Sequence, residues 1–328
     1  MKLEPRSVAV FRALQLGDML CAVPALRAFR RAWPDARITL IGLPWARDFA
    51  RRFSNHVDDF LAFPGFPGMP EQEPNVRAWP DFLREAQSRE FDLAIQLHGD
   101  GRHTNGLLRL LGARQDAGFT PGPTQGCFLS YPAEGHELQR LLKLAGFLGA
   151  DATNEAMEFP LLPEDDAQWA GYPSIRALVP GRYLCVHAGA RAANKRWPPA
   201  HFAAVADALA ADSGLPIVLT GSEQETALVR EVAEAMRTPA IAAAAPVPVG
   251  GLAALIARSR LLVSNDTGAS HLAAALRVPS VVIFRATDVG RWAPLDQSRH
   301  RRVWDPEATR VNEVISEARS LLAAYPPQ

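Results

Sequence analysis

Cysteine and lysine are the scarce residues of this 328-residue chain. The three cysteines, Cys21, Cys127 and Cys185, are odd in number, far apart and never in a Cys-x-x-Cys pair, which excludes a disulfide framework and a cysteine zinc site. Lysine occurs only at Lys2, Lys143 and Lys195 against 32 arginines, so a lysine inside a motif carries weight. No apolar run reaches the roughly 18 residues that cross a bilayer, and residues 1–11 hold only a short apolar strand flanked by charges. Neither a span nor a leader is expected, and the chain reads as cytoplasmic. A charge excess of one sign is missing too: the formal charge is zero and both halves are close to balanced. General binding to polyanions, nucleic acid included, is not expected.

The familiar catalytic signatures are absent. There is no Gly-x-x-x-x-Gly-Lys loop, no Gly-x-Gly-x-x-Gly fingerprint, no Gly-x-Ser-x-Gly elbow and no His-Glu-x-x-His helix. Kinases, simple dehydrogenases, serine hydrolases and zincins lose support. No two aspartates lie two positions apart, so the Asp-x-Asp arrangement that chelates a divalent cation against a diphosphate is lacking. No metal and no cofactor are expected, and protein groups must neutralise any bound phosphate.

What is present is an alternation of short aliphatic runs with longer amphipathic stretches, the signature of βα units and a parallel sheet. Strands are expected at 7–13, 37–42, 57–62, 92–97 and around 116–119, and in the second half at 183–187, 216–220, 261–264 and 280–284. Helices are expected at 19–32, 45–53, 81–89, 104–111 and 136–148, then at 199–211, 223–236, 252–257, 268–276 and, last, 311–324. The class is α/β, with two nucleotide-fold-like halves: a domain over 1–160, a linker over 161–181 marked by prolines and an acidic cluster, and a domain over 182–328. Ligands in such sheets sit beyond the carboxyl ends of the strands. The loop 64–80, rich in Pro and Gly, reads as a mobile substrate lid or as disorder.

Three strand-end loops can carry chemistry. In Gln15-Leu16-Gly17-Asp18, Gly17 permits a tight turn near a ligand, and Asp18 is either a helix N-cap or a carboxylate placed to take a proton from an attacking hydroxyl. The second loop runs from His187 through Lys195-Arg196-Trp197-Pro198-Pro199, where two adjacent cations can neutralise a departing diphosphate or stand solvated. The third, Asn265-Asp266-Thr267-Gly268, opens an alanine-rich helix whose free amides make an anion site, with His271 one turn inside.

These residues resemble a known family. Gly17-Asp18 followed by Val23-Pro24-Ala25-Leu26-Arg27 and Trp33-Pro34-Asp35 is similar to the opening of the ADP-heptose lipopolysaccharide heptosyltransferases, glycosyltransferase family 9. Lys195-Arg196-Trp197-Pro198 and Asn265-Asp266-Thr267-Gly268 with His271 are similar to its two C-terminal motifs. The resemblance implies a GT-B fold of two Rossmann-like domains facing a central cleft, the first binding the acceptor and the second the nucleotide sugar. It implies inverting, metal-independent transfer of a heptose from ADP-heptose to a hydroxyl of a lipopolysaccharide inner-core or related anionic glycolipid or glycan acceptor. Asp18 then matches the family's base, with Gly17 beside it, and Lys195 matches its phosphate-binding lysine, with Arg196 adjacent. Asp266, Thr267, Gly268 and His271 match its donor loop. Glu225 falls where the family places a carboxylate on the adenosine ribose, with Glu223 as the competing alignment. Gln15 stands in place of a small hydroxyl residue, and Arg285 in place of a glycine beside the donor. Residues 27–52 carry seven arginines against Asp35 and Asp48, an excess that faces an anionic acceptor, a membrane surface at the inner face of the cell membrane, or solvent. The competing functions are a nucleotide-sugar epimerase of GT-B fold and a non-catalytic nucleotide-sugar-binding protein.

Overall fold

A computed structural model describes residues 3–326; residues 1, 2, 327 and 328, at the outer ends of the two expected domains, lie outside the described residues. The chain divides into two compact units, one ending at Pro160 and the next beginning at Leu161. The α/β class expected from the alternation is the one observed.

The first unit runs β1 (Ser7–Phe11), α1 (Leu16–Ala32), β2 (Arg37–Gly42), α2 (Ala46–Arg52), β3 (Asp59–Ala62), α3 (Trp79–Ser88), β4 (Leu93–Gln96), α4 (Asn105–Leu110), β5 (Gln115–Thr120), β6 (Phe128–Ser130) and α5 (Glu137–Phe147). Its strands pair in parallel in the order β3-β2-β1-β4-β5-β6. The central strands are aliphatic on both faces because helices cover both. Phe11, Phe63, Phe82 and Phe91 fill one side, and α1 packs with α5 on the other.

The second unit runs α6 (Pro163–Ala167), α7 (Pro173–Arg176), β7 (Leu184–His187), α8 (Pro199–Ser213), β8 (Ile217–Gly221), α9 (Thr226–Ala235), β9 (Ala240–Ala244), α10 (Val249–Ala257), β10 (Leu262–Asn265), α11 (Gly268–Ala275), β11 (Ser280–Phe284), α12 (Val289–Trp292), β12 (His300–Trp304) and α13 (Val311–Ala324). Its order is β9-β8-β7-β10-β11-β12, again all parallel, so both units repeat one doubly wound topology. Pro199 opens α8, where its missing N–H costs nothing, and Gly214 closes it in the left-handed conformation with φ 65°.

Several expectations need correction. The segment 161–181 is not an open linker: it holds α6 and α7, and Trp169 donates its indole N–H to the Gly251 carbonyl at 2.8 Å, which ties it to α10. Three edge or near-edge strands escaped the pattern. β6 is three residues long, β9 is almost all alanine, and β12 is arginine-bearing, so none presents a β-branched run. The loop 64–80 is not disordered. Met69 is buried, Trp79 packs edge-on against Phe63 and Phe66, and its indole N–H reaches the Gly65 carbonyl at 3.0 Å. The arginine run is only partly engaged: Arg31, Arg37, Arg47 and Arg51 are exposed. Arg27 bonds Glu158 at 2.9 Å, Arg30 pairs with Asp58, Arg37 with Asp59, and Arg52 lies over the Phe159 ring while bonding the Pro160 carbonyl.

His300 is buried between β11 and β12 with Nδ1 2.9 Å from Ser280 Oγ, and burial pushes its pKa down to about 4. The unfolded chain therefore protonates first, and stability falls as pH drops from 6.5 toward 4, by about 1.4 kcal/mol per pH unit for this one residue. Urea unfolding at pH 6.5 and 5 is expected to show a shallower pH slope in His300→Gln by about that amount; an equal slope would mean that His300 is not held neutral.

Candidate functional site

In both units the strand order reverses around the first strand, between β1 and β4 and between β7 and β10. Loops leaving such neighbours diverge to opposite faces and open a crevice at the carboxyl edge, where ligands bind. Of the residues singled out from sequence, Gly17, Asp18, Lys195, Arg196, Asp266, Thr267, Gly268 and His271 lie on segments that follow β1, β7 and β10, whereas Glu223 and Glu225 follow β8 and Arg285 follows β11.

In the first unit, helix α1 begins at Leu16, three residues earlier than expected, with Gln15 as its N-cap. Asp18 is thus not the cap. Gly17 and Asp18 occupy the first turn, half-exposed, where the positive helix end favours an ionised carboxylate. The turn is fixed from beneath by Arg12, whose side chain is fully buried. Its Nε donates to the Asp18 carbonyl at 3.0 Å, Nη1 to the Leu97 carbonyl, and Nη2 to Glu137 Oε1 at 3.2 Å. His98, one residue past Leu97, accepts the Ala13 N–H on Nδ1 at 3.3 Å and stacks on Phe11. Burial and the Arg12 charge push its pKa down to about 3, so it stays neutral. Gly101 shapes the same loop: φ is +84°, and a Cβ there would lie 2.3 Å from the Phe119 carbonyl oxygen.

In the second unit, the loop after β7 and the loop after β10 are joined by side chains. Asn265 accepts the Trp197 N–H on Oδ1 at 3.0 Å and donates from Nδ2 to the Ala188 carbonyl at 2.7 Å. Trp197, fully buried, donates its indole N–H to Asp305 Oδ2 at 2.8 Å. Burial alone would raise the Asp305 carboxyl, but the amides of Thr309 and Arg310 and the Trp197 indole hold it below the usual range. Lys195 Nζ lies 3.0 Å from Oδ2 of the buried Asp266, and Thr287 Oγ1 donates to the same oxygen at 2.6 Å. Arg196 folds back, its Nε on the Ala190 carbonyl at 2.8 Å.

Next to Lys195's partner starts α11. Thr267 is its N-cap, Ser270 Oγ accepts the Thr267 N–H at 3.3 Å, and Gly268 and Ala269 supply the first helical amides. His271 is buried one turn in, edge-on to Trp292. Glu225 lies against the β7 loop: a Cβ on Gly189 would meet its Oε1 at 2.0 Å, and its Oε2 accepts the N–H and hydroxyl of Ser222 at 2.9 Å. Glu223 is exposed. His187, below Glu225, has its pKa lowered by burial despite that carboxylate, and it bonds Thr220 Oγ1 at 3.0 Å. The second unit therefore carries a cation, two helix-end amides and a carboxylate on the loops after β7, β8 and β10, groups suited to an anion with a hydroxyl-bearing group beside it. Arg12, His98, Thr287 and Asp305 were missed in the sequence, and Asn265, the only one that carried a signal, was read as part of the strand-end motif without a role of its own.

Two successive doubly wound units of this kind are the architecture of the GT-B fold. The model of glycosyltransferase family 9 (heptosyltransferase) matches residues 83–314, and the chain belongs to that family. It is 27% identical over 292 residues to lipopolysaccharide heptosyltransferase 3 of Escherichia coli, covering 85% of this chain and 83% of that protein. Among solved structures it is similar to a family 9 glycosyl transferase from Veillonella parvula, with a TM-score of 0.84, 22% identity and 99% of each chain covered. It is also similar to the E. coli heptosyltransferase WaaC, solved with ADP, with a TM-score of 0.72 and 21% identity over 96% of this chain and 99% of that one.

Asn265→Ala leaves the buried Trp197 amide without an acceptor and is expected to destabilise the protein by about 1–3 kcal/mol in urea unfolding. Asn265→Asp keeps that acceptor but sets an oxygen against the Ala188 carbonyl, so it should not restore stability. Full stability in either variant would show that the two loops hold without this side chain.

Proposed function

We propose that the chain is an inverting, metal-independent heptosyltransferase that moves a heptose from ADP-heptose to a hydroxyl of a lipopolysaccharide inner-core acceptor or a related anionic glycolipid or glycan. The observation that carries the reading is the pairing of Lys195 with the α11 end at the switch point of the second unit, in a chain of family 9.

The second unit would hold the donor. Lys195 and the amides of Gly268 and Ala269 take the diphosphate, with Arg196, Thr267 and His271 around it. Glu225 accepts from the ribose hydroxyls. Asp266 keeps Lys195 aimed before the ligand arrives. The first unit would hold the acceptor, with Gly17 leaving room beside Asp18. The acceptor hydroxyl gives its proton to the Asp18 carboxylate as its oxygen attacks the anomeric carbon. The bond from that carbon to the diphosphate oxygen breaks on the opposite face, and ADP leaves with its added charge on Lys195 and the helix end. Attack opposite the leaving group inverts the configuration, and the Asp18 proton is later lost to solvent. Among the described residues no helix is long and apolar enough to cross a membrane. A glycolipid acceptor would bring a cytoplasmic enzyme to the inner face of the membrane, and peripheral contact would come through the acceptor.

Thermal unfolding with ADP, UDP and GDP, each with and without EDTA, tests the donor half. ADP at about 100 times its dissociation constant should add roughly 2.7 kcal/mol, insensitive to EDTA; stabilisation by UDP alone would overturn the donor. Asp18→Asn tests the acceptor half. Turnover with ADP-heptose and inner-core acceptors is expected to fall by about 10²–10⁴, with ADP affinity nearly unchanged. Undiminished turnover would remove Asp18 from the mechanism.

A further inference from the structure

The peptide group joining Arg196 to Trp197, immediately after Lys195, is held at both of its polar ends. Its N–H goes to Asn265 Oδ1 at 3.0 Å, and its carbonyl accepts from Arg285 Nη1 at 2.7 Å. Arg285 leaves the end of β11, and its Nη2 donates to the Pro306 carbonyl at 2.8 Å, past the end of β12. Its Nε is buried without a partner, so the guanidinium gives up part of its solvation to keep these two bonds. One planar fork thus spans the loop after β7 and the loop after β12. A lysine, with a single nitrogen, does not bridge two such carbonyls in this way.

We propose that Arg285 is a positioning residue for diphosphate recognition: by clamping the Arg196 carbonyl it fixes the backbone that carries Lys195. The inference rests on the reading of Lys195 as the diphosphate-binding cation. The two grips on Lys195 are then complementary. Asp266 orients the ammonium through its carboxylate, and Arg285 with Asn265 fixes the main chain from which the side chain extends. Arg285 acts through geometry and not through its own charge, because both of its bonded nitrogens face backbone carbonyls.

Calorimetric titration of the full chain with ADP and with adenosine tests this, using wild type, Arg285→Met, Arg285→Lys, Lys195→Ala and the double variant Lys195→Ala/Arg285→Met. Arg285→Met should weaken ADP about tenfold, the effect of 1.4 kcal/mol of coupling, and leave adenosine unchanged. Arg285→Lys should not rescue ADP binding. In the Lys195→Ala background, Arg285→Met should add less than about twofold. Equal losses for ADP and adenosine, rescue by lysine, or full additivity with Lys195→Ala would each overturn the proposal. Should Arg285→Met fail to fold, Arg285→Lys carries the same comparison between ADP and adenosine. Absence of ADP binding in wild type would bring down the donor reading and this inference with it, whereas wild-type binding with an indifferent Arg285→Met removes the inference alone.

Discussion

The reversal of strand order around the first strand of each sheet is the constraint on which the rest depends. A parallel strand that is followed by a helix on one face, beside a parallel strand followed by a helix on the other, leaves the carboxyl ends of both uncovered. Helix N-termini arrive there with unpaired amides, and no backbone element is present to satisfy them. In the second unit those conditions meet at β7 and β10. The long loop after β7 delivers Lys195, and the short turn after β10 delivers Asp266 and the first amides of α11. Side chains, not a ladder, must join two loops in that position. Asn265 does so with one acceptor and one donor on opposite sides of its amide.

The same topology in the first unit yields a different electrostatic solution. There Arg12, a fully buried cation just past the end of β1, faces two carbonyls and the Glu137 carboxylate. A buried pair of this kind is retained only where its geometry is well satisfied, and removal of one partner leaves a buried charge. Its positive charge also helps to keep His98 neutral, so the groups around the α1 turn that titrate in the ordinary range are reduced. Asp18 stands above this arrangement in the first turn of α1, with its backbone carbonyl anchored. The helix that carries the Asp18 side chain is thereby pinned at its first turn.

Much of the architecture was legible because doubly wound sheets write their central strands as aliphatic runs. β1, β2, β4, β7, β8, β10 and β11 all followed that rule. The strands that escaped are at or near sheet edges, where burial on both faces no longer dictates composition. The alanines of β9 and the arginines of β12 carry no strand pattern. The start of α1 was hidden for a local reason: Gly17 is a poor helix former and Gln15 a poor cap, so nothing in the sequence marks Leu16 as the first helical residue. Lys195, Asp266, Thr267 and Gly268 were readable since each sits in a compact motif. Arg12, Thr287 and Asp305 were not, because their meaning lies in partners far along the chain that only folding brings near.

The uneven use of lysine and arginine follows the same logic. Arg12 and Arg285 each use two guanidinium nitrogens to bond two backbone carbonyls, at Asp18 and Leu97 and at Arg196 and Pro306. A rigid planar fork suits that task, because it fixes two chain segments at a set separation and its charge does not depend on pH. Lys195 faces a carboxylate oxygen and remains about a third exposed, at 30%. A compact ammonium with three rotatable donors can exchange Asp266 for a phosphate oxygen without rebuilding the loop, which a fork locked onto two carbonyls cannot do. On the proposed reading of Lys195, its position is one where a cation has to be both held and exchangeable. The arginines around it supply the holding.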